Sequence, residues 1–99
     1  MRVIAKRTLR EFWEQPGCED AKEPLEAWHH EVLKREWKTP NELKQQFHNA
    51  SILKGSRAVF NIAGNKYRLV AAIDYGRQVM FVKFVDTHAQ YDEIDAETV

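Results

Sequence analysis

The chain has 99 residues, 43% of them apolar and 30% charged, with fifteen Lys and Arg balancing fifteen Asp and Glu. This is an ordinary globular make-up, and residues 1–99 are expected to form a single domain. No apolar run approaches the roughly 18 residues of a bilayer span, residues 1–13 lack the core of a secretory signal, and the lone Cys18 leaves no internal disulfide or multi-cysteine metal site, so a cytosolic location off the membrane is expected.

Val3 and Ile4 suit a short edge strand at residues 1–5. Residues 6–14 read as a helix, with Thr8 as candidate cap and Leu9, Phe12 and Trp13 at helical spacing. Pro16-Gly17 ends it. A second helix is expected from about residue 20 to about residue 37. Asp20 and Glu23 have capping-box spacing, and Leu25, Trp28 and Val32, with Leu33 beside them, line one face. Pro24 falls in its first turn, where a missing N–H costs little. Thr39 or Asn41 can cap a short helix reaching Phe47. Residues 48–56 read as an irregular polar loop, a natural place for a binding residue such as Lys54.

Three strands follow. Residues 57–62 alternate, with Ala58, Phe60 and Ile62 on one face. Gly64-Asn65 signals a hairpin turn, and residues 66–73 put Tyr67, Leu69, Ala71 and Ile73 together. After Tyr75-Gly76, strict alternation puts Val79, Phe81, Lys83 and Val85 on one side and Met80, Val82 and Phe84 on the other. The expected class is α+β, with N-terminal helices packed on one face of a small antiparallel sheet.

Net neutrality hides a strong asymmetry. Between Lys38 and Lys83 there are eight bases against two acids, whereas the last fourteen residues hold five acids and no Lys or Arg. The second half therefore carries a positive local field that a polyanion or plain solvent can satisfy. Metal chemistry finds little support. His29 and His30 are adjacent, so on a helix they point about 100° apart. His48 and His88 have no Cys or carboxylate at a recognised ligand spacing. Cys18 lies beside Glu19 and Asp20, anions that suppress a thiolate. The isolated glycines open no helix as a phosphate loop would. Trp13, Trp28 and Trp37 sit on helical faces and read as core.

What remains is the basic sheet and the run THAQY. His88 and Tyr91 are three apart, so one helical turn places them on one side. His88 can transfer protons near neutral pH, Tyr91 can orient or stack, and Arg68 and Lys54 can stabilise a phosphorane. The plainer reading is that Thr87 caps a short helix and Tyr91 packs back on the sheet.

At FNIAGNKYRLVAAI and VKFVDTHAQYDEI the sequence resembles the HigB-type toxins of bacterial toxin–antitoxin modules, within the RelE superfamily of mRNA interferases. The resemblance implies a RelE-like fold over 1–99. It implies a ribosome-dependent endoribonuclease, without metal or cofactor, whose substrate 2′-hydroxyl attacks the adjacent phosphate. Arg68, His88 and Tyr91 fall where such toxins carry catalytic groups, and Lys54, Arg57, Lys66 and Lys83 would contact mRNA or ribosomal RNA. The implied partner is a HigA-like antitoxin with a helix-turn-helix domain, so that DNA is bound only through the complex. Two other readings stay open: an inactive RNA- or ribosome-binding module of the same fold, and a protein-interaction domain using the acidic helix 20–37.

Overall fold

The computed structural model describes residues 1–99. In chain order they form β1 (Arg2–Ile4), α1 (Lys6–Trp13), α2 (Lys22–Leu33) and α3 (Pro40–Gln46). Then come β2 (Ser51–Leu53), β3 (Arg57–Ile62), β4 (Tyr67–Asp74), β5 (Val79–Thr87) and α4 (His88–Tyr91). One five-stranded sheet has the order β1-β5-β4-β3-β2. The α+β architecture is the expected one, with the α1–α3 layer on one sheet face. Strands β2 to β5 form an antiparallel meander, and β1 joins β5 in parallel, Arg2 opposite Val79 and Ile4 opposite Phe81. The mixed character comes from that pair alone.

The N-terminal helices follow their apolar stripes but not their expected ends. Leu9, Phe12 and Trp13 are buried on α1. Thr8 does not cap it; Ala5 holds that position without a side-chain bond, because the helix starts directly off the β1 pairing. Leu25, Trp28 and Val32 are buried on α2, as the spacing predicts, whereas Leu33, at the helix end, faces outward and is 48% exposed. Asp20 does not cap α2 either. It lies in a 3-10 turn, Glu19–Ala21, and α2 begins at Lys22. The helix stops at Leu33 rather than near Trp37. There the Met1 amine donates to Val32 O at 3.2 Å and Leu33 O at 3.4 Å, a cation at a helix C-terminus. Trp37 is instead taken by Gln78, whose Nε2 donates to Trp37 O at 2.7 Å while its Oε1 accepts from Trp37 N at 3.3 Å. Thr39 does cap α3, accepting from Glu42 N at 3.3 Å, with Pro40 at the first position.

The main core fills the space between these helices and the inner sheet face. Phe60, Leu69 and Met80 meet Leu9, Leu25, Val32 and Leu43 there, all buried. Each such aliphatic side chain contributes about 1.5–3 kcal/mol. An edge-to-face series locks the layer: Trp37 to Phe47 at 5.7 Å, Phe47 to Phe60 at 5.2 Å, and Phe60 to Trp28 at 5.2 Å between ring centres. All three tryptophans are core residues.

Strict alternation fails on β5. Val70 pairs with Phe84 but Ala71 pairs with Val82, so Lys83 is an inserted residue. Val82 and Val85 therefore both pack against the main core, while Phe84 joins the opposite face. That outer face is partly closed. Val59 and Val70 are buried under Ala96, with Leu53, Phe84, Tyr91 and Ile94 around them. The segment after α4 thus folds back over the sheet.

Candidate catalytic site

Arg68 lies on β4 and faces away from the helices, opposite Asn61 of β3 and Asp86 of β5. Its Nη1 donates to Asn65 Oδ1 at 2.8 Å and to Asn61 Oδ1. Both partners are neutral amides. Asp86 is its cross-strand neighbour, yet no carboxylate pairs with it, and Asp86 Oδ1 instead accepts from Thr87 N at 2.7 Å. The guanidinium so keeps an uncompensated charge and unused donors, a fork suited to phosphate oxygens. Below it lies the Tyr91 ring, 5.8 Å from the guanidinium carbon.

The Gly64-Asn65 hairpin and α4 bring these parts together. Lys66 N donates to Ala63 O at 3.3 Å, closing the turn. Gly64 takes φ +68°, as the first central position of such a turn requires. Ala63, which is not glycine, takes φ +54° beside it. Thr87 caps α4, accepting from Gln90 N at 3.2 Å, and His88 N donates to Lys66 O at 3.1 Å. The plainer reading of THAQY therefore describes the backbone well: a capped turn with Tyr91 packed on the sheet. The same packing puts Tyr91 against Arg68 and anchors His88 to the start of β4.

His88 has a partner of its own. Its Nδ1 lies 3.1 Å from Asp92 Oδ2, four residues on, with about half of each side chain exposed (45% and 59%). A carboxylate at Nδ1 holds a proton there and leaves Nε2 as the nitrogen without a proton.

The other expected contacts are dispersed. Lys66 is exposed but ion-paired with Asp20, which also accepts from the Tyr67 hydroxyl. The Lys66 ammonium, then the Tyr67 hydroxyl, hold the Asp20 carboxyl below its usual range. Asp20 in turn raises Lys66, and burial followed by Asp20 raises Tyr67. Arg57 sits at the far end of β3, roughly 13 Å from Asn61 at about 3.3 Å per residue. Its Nη1 donates to Ala96 O at 3.2 Å and to Val99 O, so it holds the C-terminal segment. Lys54 is exposed in the β2–β3 turn, and Lys83 is exposed with Nζ 5.9 Å from the Phe81 ring. The structure thus joins Arg68 with Tyr91 and leaves Lys54, Arg57 and Lys83 apart from them. Asn61, Asn65 and Asp92 were not singled out in the sequence. Asp92 carries a visible signal, a carboxylate one helical turn beyond His88.

No group of three or more His, Cys, Asp or Glu is placed to hold a metal ion. Burial first, then Asp86, Glu19 and Asp20, push the Cys18 thiol up, against a nucleophilic role. No helix is long and apolar enough to cross a membrane.

A helical layer on one face of a small mixed sheet is the arrangement of a RelE-like toxin. Residues 21–94 match the family model of HigB toxin, the RelE-like toxic component of a toxin–antitoxin system, and the chain belongs to that family. It is 30% identical over 94 residues to the mRNA interferase toxin HigB of Escherichia coli (strain K12), covering 93% of this chain and 88% of that one. The mRNA interferase HigB of Shigella flexneri is matched to the same extent, 30% over 94 residues. The mRNA interferase HigB of Escherichia coli O6:H1 is 28% identical over 72 residues, 71% of this chain and 70% of its own.

Proposed function

We propose that this toxin is a ribosome-dependent, metal-independent endoribonuclease that cuts mRNA and so blocks translation. The observation that carries the reading is Arg68, a cation without a carboxylate partner, beside the capped turn that holds the His88–Asp92 pair. The names of the relatives, mRNA interferases, supply the substrate class.

The chemistry follows from those groups. The substrate 2′-hydroxyl loses its proton to His88 Nε2, and its oxygen attacks the adjacent phosphorus. The bond from phosphorus to the 5′-oxygen breaks, and that oxygen takes a proton from water. The products are a 2′,3′-cyclic phosphate and a 5′-hydroxyl end. Asp92 stabilises the imidazolium formed on the way, and Arg68 binds the extra charge of the phosphorane. Tyr91 positions the guanidinium. Such a small exposed constellation depends on a substrate already held in line, and presentation of mRNA on the ribosome supplies this. Lys54, Lys66 and Lys83 contact RNA around the site, and Arg57 does so once the C-terminal segment yields. A HigA-like helix-turn-helix antitoxin neutralises the toxin and brings the complex to DNA.

The test is inducible expression with transcriptome-wide mapping of RNA 5′ ends. Growth arrest and new 5′-hydroxyl ends phased to codons are expected. Arrest without such ends, or no arrest, would overturn the reading.

A further inference from the structure

Strand β2 pairs with β3 only at Arg57, Ala58 and Val59. Beyond Val59 the edge of β3 has no strand beside it. A cavity of about 400 Å³ lies there. It is lined by the 46–50 segment joining α3 to β2 and, from β3 and its turn, by Phe60, Asn61 and Gly64. The volume lies near the lower end of the about 300–1,000 Å³ typical of small-molecule sites.

The lining is specific in character. Its one part-exposed aromatic ring is Phe47, set edge-to-face on the buried Phe60 and Trp37. Its rim is formed by Gln46, His48, Asn49 and Asn61, which offer both donors and acceptors and no acid. The 46–50 wall is held in place: Lys44 Nζ donates to His48 O at 2.7 Å and also to Ala50 O. Asn61 belongs to two places at once. It lines the cavity, and its Oδ1 accepts from Arg68. Whatever fills the cavity therefore sits one side chain away from the free guanidinium.

We propose that this cavity is a nucleobase subsite, taking one unstacked base of single-stranded RNA whose neighbouring phosphate lies at Arg68. The inference rests on the nuclease reading for its substrate. Single-stranded RNA is recognised by splayed bases placed on aromatic side chains and read along their edges by amides. The part-exposed Phe47 ring with an amide rim is that combination, and the phosphate-binding charge stands outside it at Arg68. A protein strand adding to the β3 edge is disfavoured because the 46–50 wall already occupies the approach. The subsite gives the enzyme a base preference at one position flanking the cut.

The test follows amide NMR of the whole chain with two sets of probes, the four nucleoside 5′-monophosphates and 2′-O-methyl tetranucleotides that resist cleavage. Shifts concentrated in residues 46–50 and 60–64 are expected, with the tetranucleotides at least tenfold tighter and one base preferred. Q46A and N49A, both on the rim, should stay folded and lose about tenfold of that preference, the worth of roughly one hydrogen bond. No shift in residues 46–50 with any probe overturns the subsite. Equal affinity for monophosphate and tetranucleotide overturns RNA as its ligand. In cells, Q46A and N49A should still cut mRNA but with a weaker base bias at that position, and an unchanged bias overturns the assignment. Absence of cutting by the unaltered chain would instead overturn the nuclease reading, and the binding arms then decide the subsite on their own.

Discussion

The His88 imidazole and the Asp92 carboxylate meet at 3.1 Å, Nδ1 to Oδ2, across one turn that Thr87 caps. A carboxylate in that place fixes which nitrogen carries the proton. H88A is expected to lower mRNA cleavage by about 100- to 10,000-fold, the usual worth of a proton-transfer group. D92N keeps the shape but allows the wrong tautomer, and a smaller loss of about tenfold or more is expected. Both side chains are half exposed, so thermal midpoints should hardly move. Cleavage at full rate by H88A, measured on programmed ribosomes, would remove His88 from the reaction.

Arg68 gives a sharper chemical test. R68A should lose about 100- to 1,000-fold in cleavage, as expected for one group that binds transition-state charge. R68K should recover little of it, because an ammonium cannot reproduce the fork held by Asn61 and Asn65. Y91F keeps the ring under the guanidinium and should remain within about threefold of the parent, whereas Y91A should lose both packing and activity. If Y91F is as inactive as R68A, the hydroxyl has a direct part and the positioning role is wrong.

The Asp20, Lys66 and Tyr67 cluster predicts how stability depends on pH. Asp20 is held below its ordinary value of 3.8, so its contribution is complete above that pH and is lost as pH falls through the lower folded value. Tyr67 and Lys66 are raised above 10.0 and 10.5, so their contribution is complete below those values and is lost as pH climbs through the folded ones. Urea midpoints should therefore decline at both extremes. D20N should flatten the acid limb and, because Asp20 is what raises Lys66 and helps to raise Tyr67, weaken the alkaline limb as well. An unaltered acid limb in D20N would show that other carboxylates control it.

Ala63 offers a test of the turn beside the site. It holds φ +54° and is exposed. A left-handed conformation costs an L-residue about 1–2 kcal/mol, while glycine loses about 0.5–1 kcal/mol through chain entropy. A63G should gain up to about 1 kcal/mol in chemical denaturation, with activity unchanged. A loss of stability would mean that the methyl group makes a contact worth more than the strain.

Local pattern was enough for the parts of this molecule that local pattern governs. The stripes of α1 and α2, the Thr39 cap and the two hairpins of β3, β4 and β5 were legible because periodicity and turn chemistry are written in neighbouring residues. Other features depend on distant ones. Asp20 has capping-box spacing, yet Lys66 and Tyr67 claim it from the far side of the chain. Residues 34–37 continue a helical pattern, yet Gln78 takes both backbone groups of Trp37. Strand β2 is three residues long, with Ile52 39% exposed, so nothing in its own sequence distinguishes it from loop. The insertion at Lys83 reverses the facing of every later residue on β5. Within the candidate site, residue type and resemblance nominate Arg68, His88 and Tyr91. Asn61 and Asn65 could not, because their significance is only that they face Arg68 without neutralising it.

The parallel pairing of β1 with β5 sets an order of assembly. Arg2 finds its partner only when Val79 exists, and the residues that follow, through His88 and Asp92, are made later still. Contacts of such long sequence separation form slowly and late. During synthesis the helices and the first hairpins can collapse early, but the sheet stays unfinished, and the turn that packs against Arg68 is absent, until residues 79–92 have emerged. The surface that the proposed function assigns to RNA is thereby among the last parts of this fold to be completed.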